Sequence, residues 1–332
     1  MQVLSGRGSL RLFERKGAFA VREYRVEKQG VRLDAFLQKA EPSLTAGALH
    51  RYLRENKIKV NGKRLPLSAR LAAGDTVRLY APQAAPAQAG GPAYLAAKPY
   101  FTPVYEDAQV LVAQKPAGLL VQDEAGVQAD TFLNRARRYL YEKGVPEADA
   151  LQLCHRLDTG TSGLVIIAKT PEAEQLFLEV IKNREVKKTY LCVTFGRPTP
   201  PDGTLGGYLL KDADRGIVKI VPDKQPGAKD VETQYETVAV SGRLALLKVR
   251  LITGRTHQIR AHMASIGCPI LGDSKYGNNT ANRELKLKYQ ALCAWELVLP
   301  RFTSPDFADL SGKTFRAPKP WYYQQVLDGT LK

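Results

Sequence analysis

The chain reads as an α+β protein, with a mixed, mostly antiparallel sheet and flanking helices, preceded by a small basic α/β module. Three observations predict this. First, strand-like runs follow one another between residues 189 and 252 with no helix between them, a pattern that argues against a doubly wound parallel sheet. Second, residues 81–99, APQAAPAQAGGPAYLAAKP, are rich in Ala, Pro, Gly and Gln and carry neither helical nor strand periodicity, as a linker does. The expected organisation is a module at 1–80, a linker at 81–99 and a body at 100–332. Third, residues 1–80 hold 17 Lys and Arg against 7 Asp and Glu, most of the excess in a chain of net charge +16.

Within the module, residues 22–26 read as a strand. RLDAFLQKA (32–40) reads as a short helix with Leu33, Phe36 and Leu37 on one face. Pro42 and Ser43 mark a break, and Ser43 or Thr45 can cap a second helix over about 45–55. KIKVNGKRL follows as a strand that meets a turn at Asn61-Gly62, a strong hairpin signal. GDTVRLY (74–80) closes the module as another strand.

In the body, VYEDAQVLVAQKP (104–116) reads as one strand ending in a Lys-Pro turn, and 131–143 as a helix. GLVIIA (163–168) has the apolar, β-branched character of a buried strand. Thr170-Pro171 opens a helix with a threonine cap and proline at the first position. Ala173, Leu176, Phe177, Val180 and Ile181 form its core face. TYLCVTFG (189–196), VETQYETVAV (231–240) and LALLKVRLI (244–252) are further strands.

The composition sets outer bounds. At 332 residues, with 44% apolar and 25% charged side chains, the chain resembles an ordinary globular protein of two domains. No apolar run of about 18 residues is present, and the amino terminus lacks the apolar stretch of a secretory signal. The four cysteines form no CxxC pair and read as reduced thiols. We therefore expect a cytoplasmic protein that spans no membrane and acts as a monomer. The positive charge is compatible with simple solubility or with a polyanionic partner. Six cations (Arg51, Arg54, Lys57, Lys59, Lys63 and Arg64) share 14 residues with one anion, Glu55. RNA phosphate would offset their mutual repulsion.

Two segments stand out as candidate chemistry. In Cys154-His155-Arg156-Leu157-Asp158-Thr159-Gly160-Thr161-Ser162-Gly163-Leu164, a cation and an anion lie two residues apart just before a buried strand. Such a carboxylate is either a site residue on a braced loop or a loop Asp that caps its own backbone. In LITGRTHQIRAHMASIGCPILGDSKYG (251–277), Thr256 can cap a helix with Ile259, Met263 and Ile266 inward, ended by Gly267 with Pro269 beyond. Its start, beside Arg255, suits an anion. His257, Arg260 and His262 cannot all point into the core, so some are expected to face a cleft. The two histidines are five residues apart and no thiol pair accompanies them, so no metal is expected.

The module, through RLDAFL, SLTAGALHRYLRENKIKVNGK and GDTVRL, resembles the S4 RNA-binding domain, whose helix pair and following loop grip structured RNA. That resemblance makes Arg51, Arg54, Lys57 and Lys63 the expected phosphate contacts. The body is similar to the RluA family of pseudouridine synthases, in particular its members with an S4 domain. Four segments carry the likeness, in the family's order: YEDAQVLVAQKPAGLLV (105–121), HRLDTGTSGLVIIAKT (155–170), KKTYLCVTFG (187–196) and 251–277. Two departures are visible. Thr159-Gly160 stands where the family often has Arg-Asp or another polar pair, and Cys293 stands where it usually has His.

The resemblance implies a pseudouridine synthase fold and an isomerase that turns uridine into pseudouridine without a cofactor. Asp158 would be the essential carboxylate, either a nucleophile or the base that starts glycal formation while the N1–C1′ bond breaks. Freed uracil would turn and rejoin through C5. Arg260 would pair with Asp158 and keep it ionised. Tyr190 would stack on uracil near the departing C5 proton. Arg156 would fill the space left by the flipped nucleotide, since a stacked base is out of reach. Lys188, Arg255 and His257 would contact the substrate RNA. Ribosomal RNA of the large subunit is the expected target, with transfer RNA the alternative. Two other readings are weighed beside this one. A non-catalytic RNA-binding or ribosome-assembly protein would have no use for a paired carboxylate in a cleft. A glycosidic hydrolase would need a second acid, and the motifs offer none.

Overall fold

The structure, a computed structural model, describes residues 10–13, 19–27, 29–41, 49, 52–82, 92–123, 128–145, 148–212 and 216–331. It divides into two compact units, 1–96 with 122–129, and 97–121 with 130–332.

The first unit contains β1 (Leu10–Phe13), β2 (Phe19–Arg25), α1 (Leu33–Ala40), β3 (Ile58–Val60) and β4 (Thr76–Pro82). These strands form one sheet in the order β1-β2-β4-β3, with β2, β3 and β4 paired antiparallel. The expected turn is present. Asn61 and Gly62 both take positive φ, 48° and 81°, and Val60 and Lys63 exchange backbone hydrogen bonds of 2.8 and 2.9 Å across them. Only residues able to enter the left-handed region close so tight a loop with the right twist. Leu33, Leu37, Leu49, Tyr52, Ile58, Val77 and Leu79 are buried together. The second expected helix lies largely outside the described residues, as do its candidate caps Ser43 and Thr45. Residues 52–54 are helical.

The second unit begins with β5 (Pro103–Glu106) and β6 (Val110–Lys115), then α2 (Phe132–Glu142), β7 (Gln152–Leu153) and β8 (Ser162–Ala168). α3 (Pro171–Lys182), β9 (Lys187–Phe195), β10 (Asp202–Asp212) and β11 (Ile217–Val221) follow. The chain continues through β12 (Lys229–Ser241), β13 (Leu244–Leu251), α4 (Gln258–Ser265) and α5 (Asn279–Glu284). It closes with β14 (Leu292–Val298), β15 (Thr314–Arg316) and α6 (Trp321–Leu327). The eleven strands share one sheet, in the order β11-β10-β12-β13-β9-β14-β8-β6-β5, with β15 on β14 and β7 on β8. Only β14 and β8 run parallel. The architecture is therefore the expected α+β class with a mostly antiparallel sheet. No helix among the described residues is long and apolar enough to cross a membrane.

Two local expectations need correcting. The segment 104–116 is a hairpin rather than one strand. The Asp107 carboxylate accepts from Gln109 N and Val110 N at 2.8 and 2.7 Å, and this side-chain turn reverses the chain. Thr256 does not cap α4. The residue before the helix is His257, in a left-handed conformation with φ 56°, and the first turn is tied from inside by Gln258 Oε1, which accepts from Arg255 N at 3.1 Å. Elsewhere the local chemistry holds. Thr131 and Thr170 cap α2 and α3 through their hydroxyls, and Ala173, Phe177 and Val180 face the core.

One row across the sheet positions the site. Lys115 on β6 stands opposite Gly163 on β8, Gly163 opposite Ala294 on β14, Ala294 opposite Tyr190 on β9, and Tyr190 opposite Val249 on β13. Directly opposed residues share a face, so Lys115 and Tyr190 project to the same side. Gly163 has φ 118°, and a Cβ there would collide with the Ala294 backbone. Substituting Gly163→Ala should push β8 and β14 apart at the centre of the row. A loss of about 1–3 kcal/mol is expected from such overpacking, measurable by denaturant unfolding; stability equal to that of the parent chain would contradict this packing.

Candidate active site

The loop between β7 and β8 carries Asp158 and is held from several sides. The Thr159 carbonyl accepts from Gly118 N at 2.7 Å and from Lys115 Nζ at 3.1 Å. The Asp158 carbonyl accepts from Thr161 N at 3.0 Å, and the Thr161 hydroxyl accepts from Gln290 Nε2 at 3.0 Å. Lys115 is fully buried and also donates to the carbonyls of Pro116 and Leu119 at 2.9 and 2.7 Å. Burial pushes its amine down to about 7, with the negative charge of Asp158 pulling the other way. The sequence offered Lys115 only as part of a Lys-Pro turn.

Arg260, on the first turn of α4, joins two acids. Its Nη1 donates to Asp158 Oδ2 at 2.8 Å, while Nε and Nη2 donate to the two oxygens of Asp273 at 2.7 and 2.9 Å. The side chains of Arg260 and Asp273 are 6% and 0% exposed, against 23% for Asp158. One carboxylate is thus sealed beneath the guanidinium and the other opens to solvent above it. Burial opposes the charge on Arg260, but the hydrogen bonds and charge of Asp273, then those of Asp158, raise its pKa. Burial likewise works against the Asp273 carboxylate, yet Arg260 outweighs it and its pKa falls. Asp273 Oδ1 further accepts from the backbone of Lys275 and Tyr276 at 2.9 and 3.1 Å. Both oxygens of the buried Asp273 thus have hydrogen-bond donors, the condition under which a buried ion pair persists.

The second oxygen, Asp158 Oδ1, receives no hydrogen bond from the described residues. His257 Nε2 lies 3.9 Å from Oδ2, and burial, the largest influence, lowers the imidazole pKa. The Tyr276 ring lies 5.1 Å from the Arg260 guanidinium, and its hydroxyl is 3.0 Å from His257 Nδ1. Tyr190 is buried. Burial, then the charge of Asp158, raise its phenol pKa, so it stays protonated.

The remaining expected site residues fall in several places. Lys188 precedes Tyr190 by two positions on β9 and is half-buried, and burial pushes its amine down to about 8. Arg156 and Arg255 are exposed. In the first unit Arg54 and Lys63 are exposed, and Lys57 is half-buried beside Glu55 at 2.5 Å. Arg51 lies outside the described residues.

Of the three side chains that could not all enter the core, His257 is half-exposed and Arg260 and His262 are buried. Arg260 has its acids, and His262 Nδ1 has the Thr233 hydroxyl at 2.8 Å, while His262 Nε2 has no hydrogen-bond partner among the described residues. One expectation changes, since a second acid exists: Asp273 belongs to the site. Sealed and bound bidentately by Arg260, it has no access to a water or a leaving group, so the pair differs from the two working acids of a glycosidase. No cluster of three or more metal-binding side chains occurs among the described residues.

Comparison with known proteins shows a family and a fold. Residues 109–265 match the family described as RNA pseudouridylate synthase. The chain is 35% identical over 304 residues to the ribosomal large subunit pseudouridine synthase C of Rickettsia bellii, covering 89% of this chain and 96% of that protein. It is 30% identical over 312 residues to an uncharacterized RNA pseudouridine synthase of Mycoplasma genitalium, covering 89% and 95%. Among solved structures, human RNA pseudouridylate synthase domain containing 4 superposes with a TM-score of 0.55 at 23% identity, over 69% of this chain and 92% of that one. That likeness supports the fold.

Proposed function

The chain belongs to the RNA pseudouridylate synthase family, and on that premise we propose that Asp158 is its catalytic carboxylate, acting on uridines of large-subunit ribosomal RNA. The observation that carries this reading is the Arg260 bridge, which ties one oxygen of Asp158 at 2.8 Å and leaves the other open. Held this way, the acid needs no reorganisation when a ribose arrives, the condition for electrostatic preorganisation. The open oxygen attacks C1′ or removes the C2′ proton as the N1–C1′ bond breaks. The uracil then turns and C5 bonds to C1′, which releases the carboxylate from C1′ or, on the other route, is followed by return of the C2′ proton. C5 loses its proton and N1 gains one, so the product is an isomer. Tyr190, a neutral phenol on the same face as the carboxylate loop, stacks on the base and keeps it in place during the turn.

A base inside a helix does not reach such a site, so the target nucleotide is flipped, at a cost of a few kcal/mol. Arg156, exposed two residues before Asp158, fills the vacated space. Arg255, Lys188 and His257 meet the flipped nucleotide and its phosphates. In the amino-terminal unit the S4-like stretch grips RNA through Arg51, Arg54, Lys57 and Lys63. Ribosomal RNA is favoured over transfer RNA because the Rickettsia bellii relative acts on the large ribosomal subunit and aligns over nearly its whole length.

Two measurements test the proposal. Purified wild-type protein, given total RNA from cells lacking the gene, should create pseudouridine at discrete uridines of large-subunit ribosomal RNA. Asp158→Asn should create none while binding RNA within about twofold of wild type, because the amide keeps the shape and removes the charge. An active Asn variant would remove the carboxylate mechanism, and sites confined to transfer RNA would remove the ribosomal target. Replacing Arg54, Lys57 and Lys63 together by Ala should reduce the slope of log affinity against log salt by roughly 2, since each lost phosphate contact removes about 0.7–0.9. An unchanged slope would show that these side chains do not touch phosphate.

A further inference from the structure

The geometry points to His257 as a catalytic hydrogen-bond donor to the departing uracil, with Tyr276 fixing which of its nitrogens carries the proton. This inference rests on the reading of Asp158 as the catalytic carboxylate.

The chain of hydrogen bonds starts in β11. Val218 N donates to the Tyr276 hydroxyl at 2.7 Å. That hydroxyl is 3.0 Å from His257 Nδ1, and the two rings meet edge to face at 5.6 Å. A phenol has one proton to give. Because the oxygen already accepts from Val218 N, the arrangement that uses the phenol proton sends it to Nδ1. In that assignment the imidazole proton sits on Nε2. Nε2 lies 3.9 Å from Asp158 Oδ2, which is beyond hydrogen-bond reach. Nε2 makes no hydrogen bond among the described residues.

The backbone supports the same reading. His257 takes a left-handed conformation, φ 56° and ψ 16°, which is uncommon for a residue with a Cβ and costs energy that the surroundings must hold. Strain of this kind collects at functional sites. The imidazole on this residue is 13% exposed and its Nε2 lies 3.9 Å from Asp158 Oδ2.

The chemistry accounts for a neutral donor here. When N1–C1′ breaks, the bonding electrons move onto uracil N1 and spread to O2 and O4. O2 is attached next to N1, so it stays close to C1′ and to the carboxylate that meets C1′. A neutral Nε2–H in the 3.9 Å gap beside Asp158 can donate to O2 as that charge grows. An imidazolium would instead pair with Asp158 and quench the carboxylate. The groups facing the ring resist its protonation. Burial and the cations Arg260 and Lys275 hold the pKa down against Asp158 and Asp273. No proton is transferred in the step, since the donor keeps its hydrogen and stabilises charge. Tyr276 is a positioning residue. It acts through His257 and through its packing on Arg260.

The experiment uses an RNA fragment carrying a uridine that wild-type protein converts, with Asp158→Asn as a parallel control. The control decides the carboxylate reading, whatever the His257 variants do. His257→Leu is expected to slow single-turnover conversion at saturating protein by about tenfold or more. His257→Gln, whose amide N–H can reach the same gap, should recover most of the rate. Tyr276→Phe should slow conversion and add nothing further in the Leu background. With 2-thiouridine at the target, a poor acceptor replaces O2, so wild type and His257→Leu should converge. A Leu variant as fast as wild type, a Gln variant as slow as Leu, or a Leu deficit equally large on 2-thiouridine would each overturn the assignment.

Discussion

Everything at this site depends on a single buried guanidinium. Arg260 carries a charge that burial disfavours, and it keeps that charge because Asp273 binds it through two nitrogens at 2.7 and 2.9 Å. The remaining nitrogen then reaches Asp158. The sealed acid therefore neutralises the cation, and the cation in turn orients the half-open acid. Removing one member of a buried set of this kind typically costs about 3–5 kcal/mol, since it strands the other charge. The Tyr276 ring against the guanidinium and the backbone amides on Asp273 hold the same group from two more sides.

The sheet explains why this arrangement forms at all. Asp158 and Arg260 are 102 positions apart and belong to segments on either side of the central strands. β14 lies between β8 and β9, which sets Lys115, Gly163, Ala294, Tyr190 and Val249 in one row. The carboxylate loop enters above one part of that row, and α4 returns from β13 at another. Close approach of β8 to β14 requires glycine at 163. Lys115 and Gly118 then pin the loop from below through the Thr159 carbonyl. A rigid platform with a short, heavily bonded loop is the usual way to hold a reacting group within a fraction of an ångström.

Much of this was legible in the sequence, for identifiable reasons. Thr170-Pro171, GLVIIA and Asn61-Gly62 are local signals, so they read correctly from short windows. Asp158 and Arg260 were legible through their motifs. Asp273 was not, although LGDSKYG lies inside a matched segment. Nothing local distinguishes an Asp that will be fully buried under an arginine from one on a solvated turn. Lys115 and Tyr276 escaped for the same reason, since burial and cross-chain hydrogen bonds give them their roles. The hairpin of β10 and β11 was hidden by glycines at 203, 206 and 207, which dilute the strand pattern. Thr256 looked like a cap, but the left-handed His257 and the inward Gln258 side chain leave it no part to play.

The most direct test of the central claim is the single-turnover rate of pseudouridine formation by Arg260→Lys on an RNA that the parent protein converts. Lysine keeps the positive charge but has one ammonium in place of a planar fork, so it cannot bind Asp273 bidentately and hold Asp158 at once. A fall of about 100-fold or more, with RNA affinity within about twofold, is predicted from misplacing the reacting group. A lysine variant that converts uridine within a few-fold of the parent rate would contradict the bridge as the basis of the site.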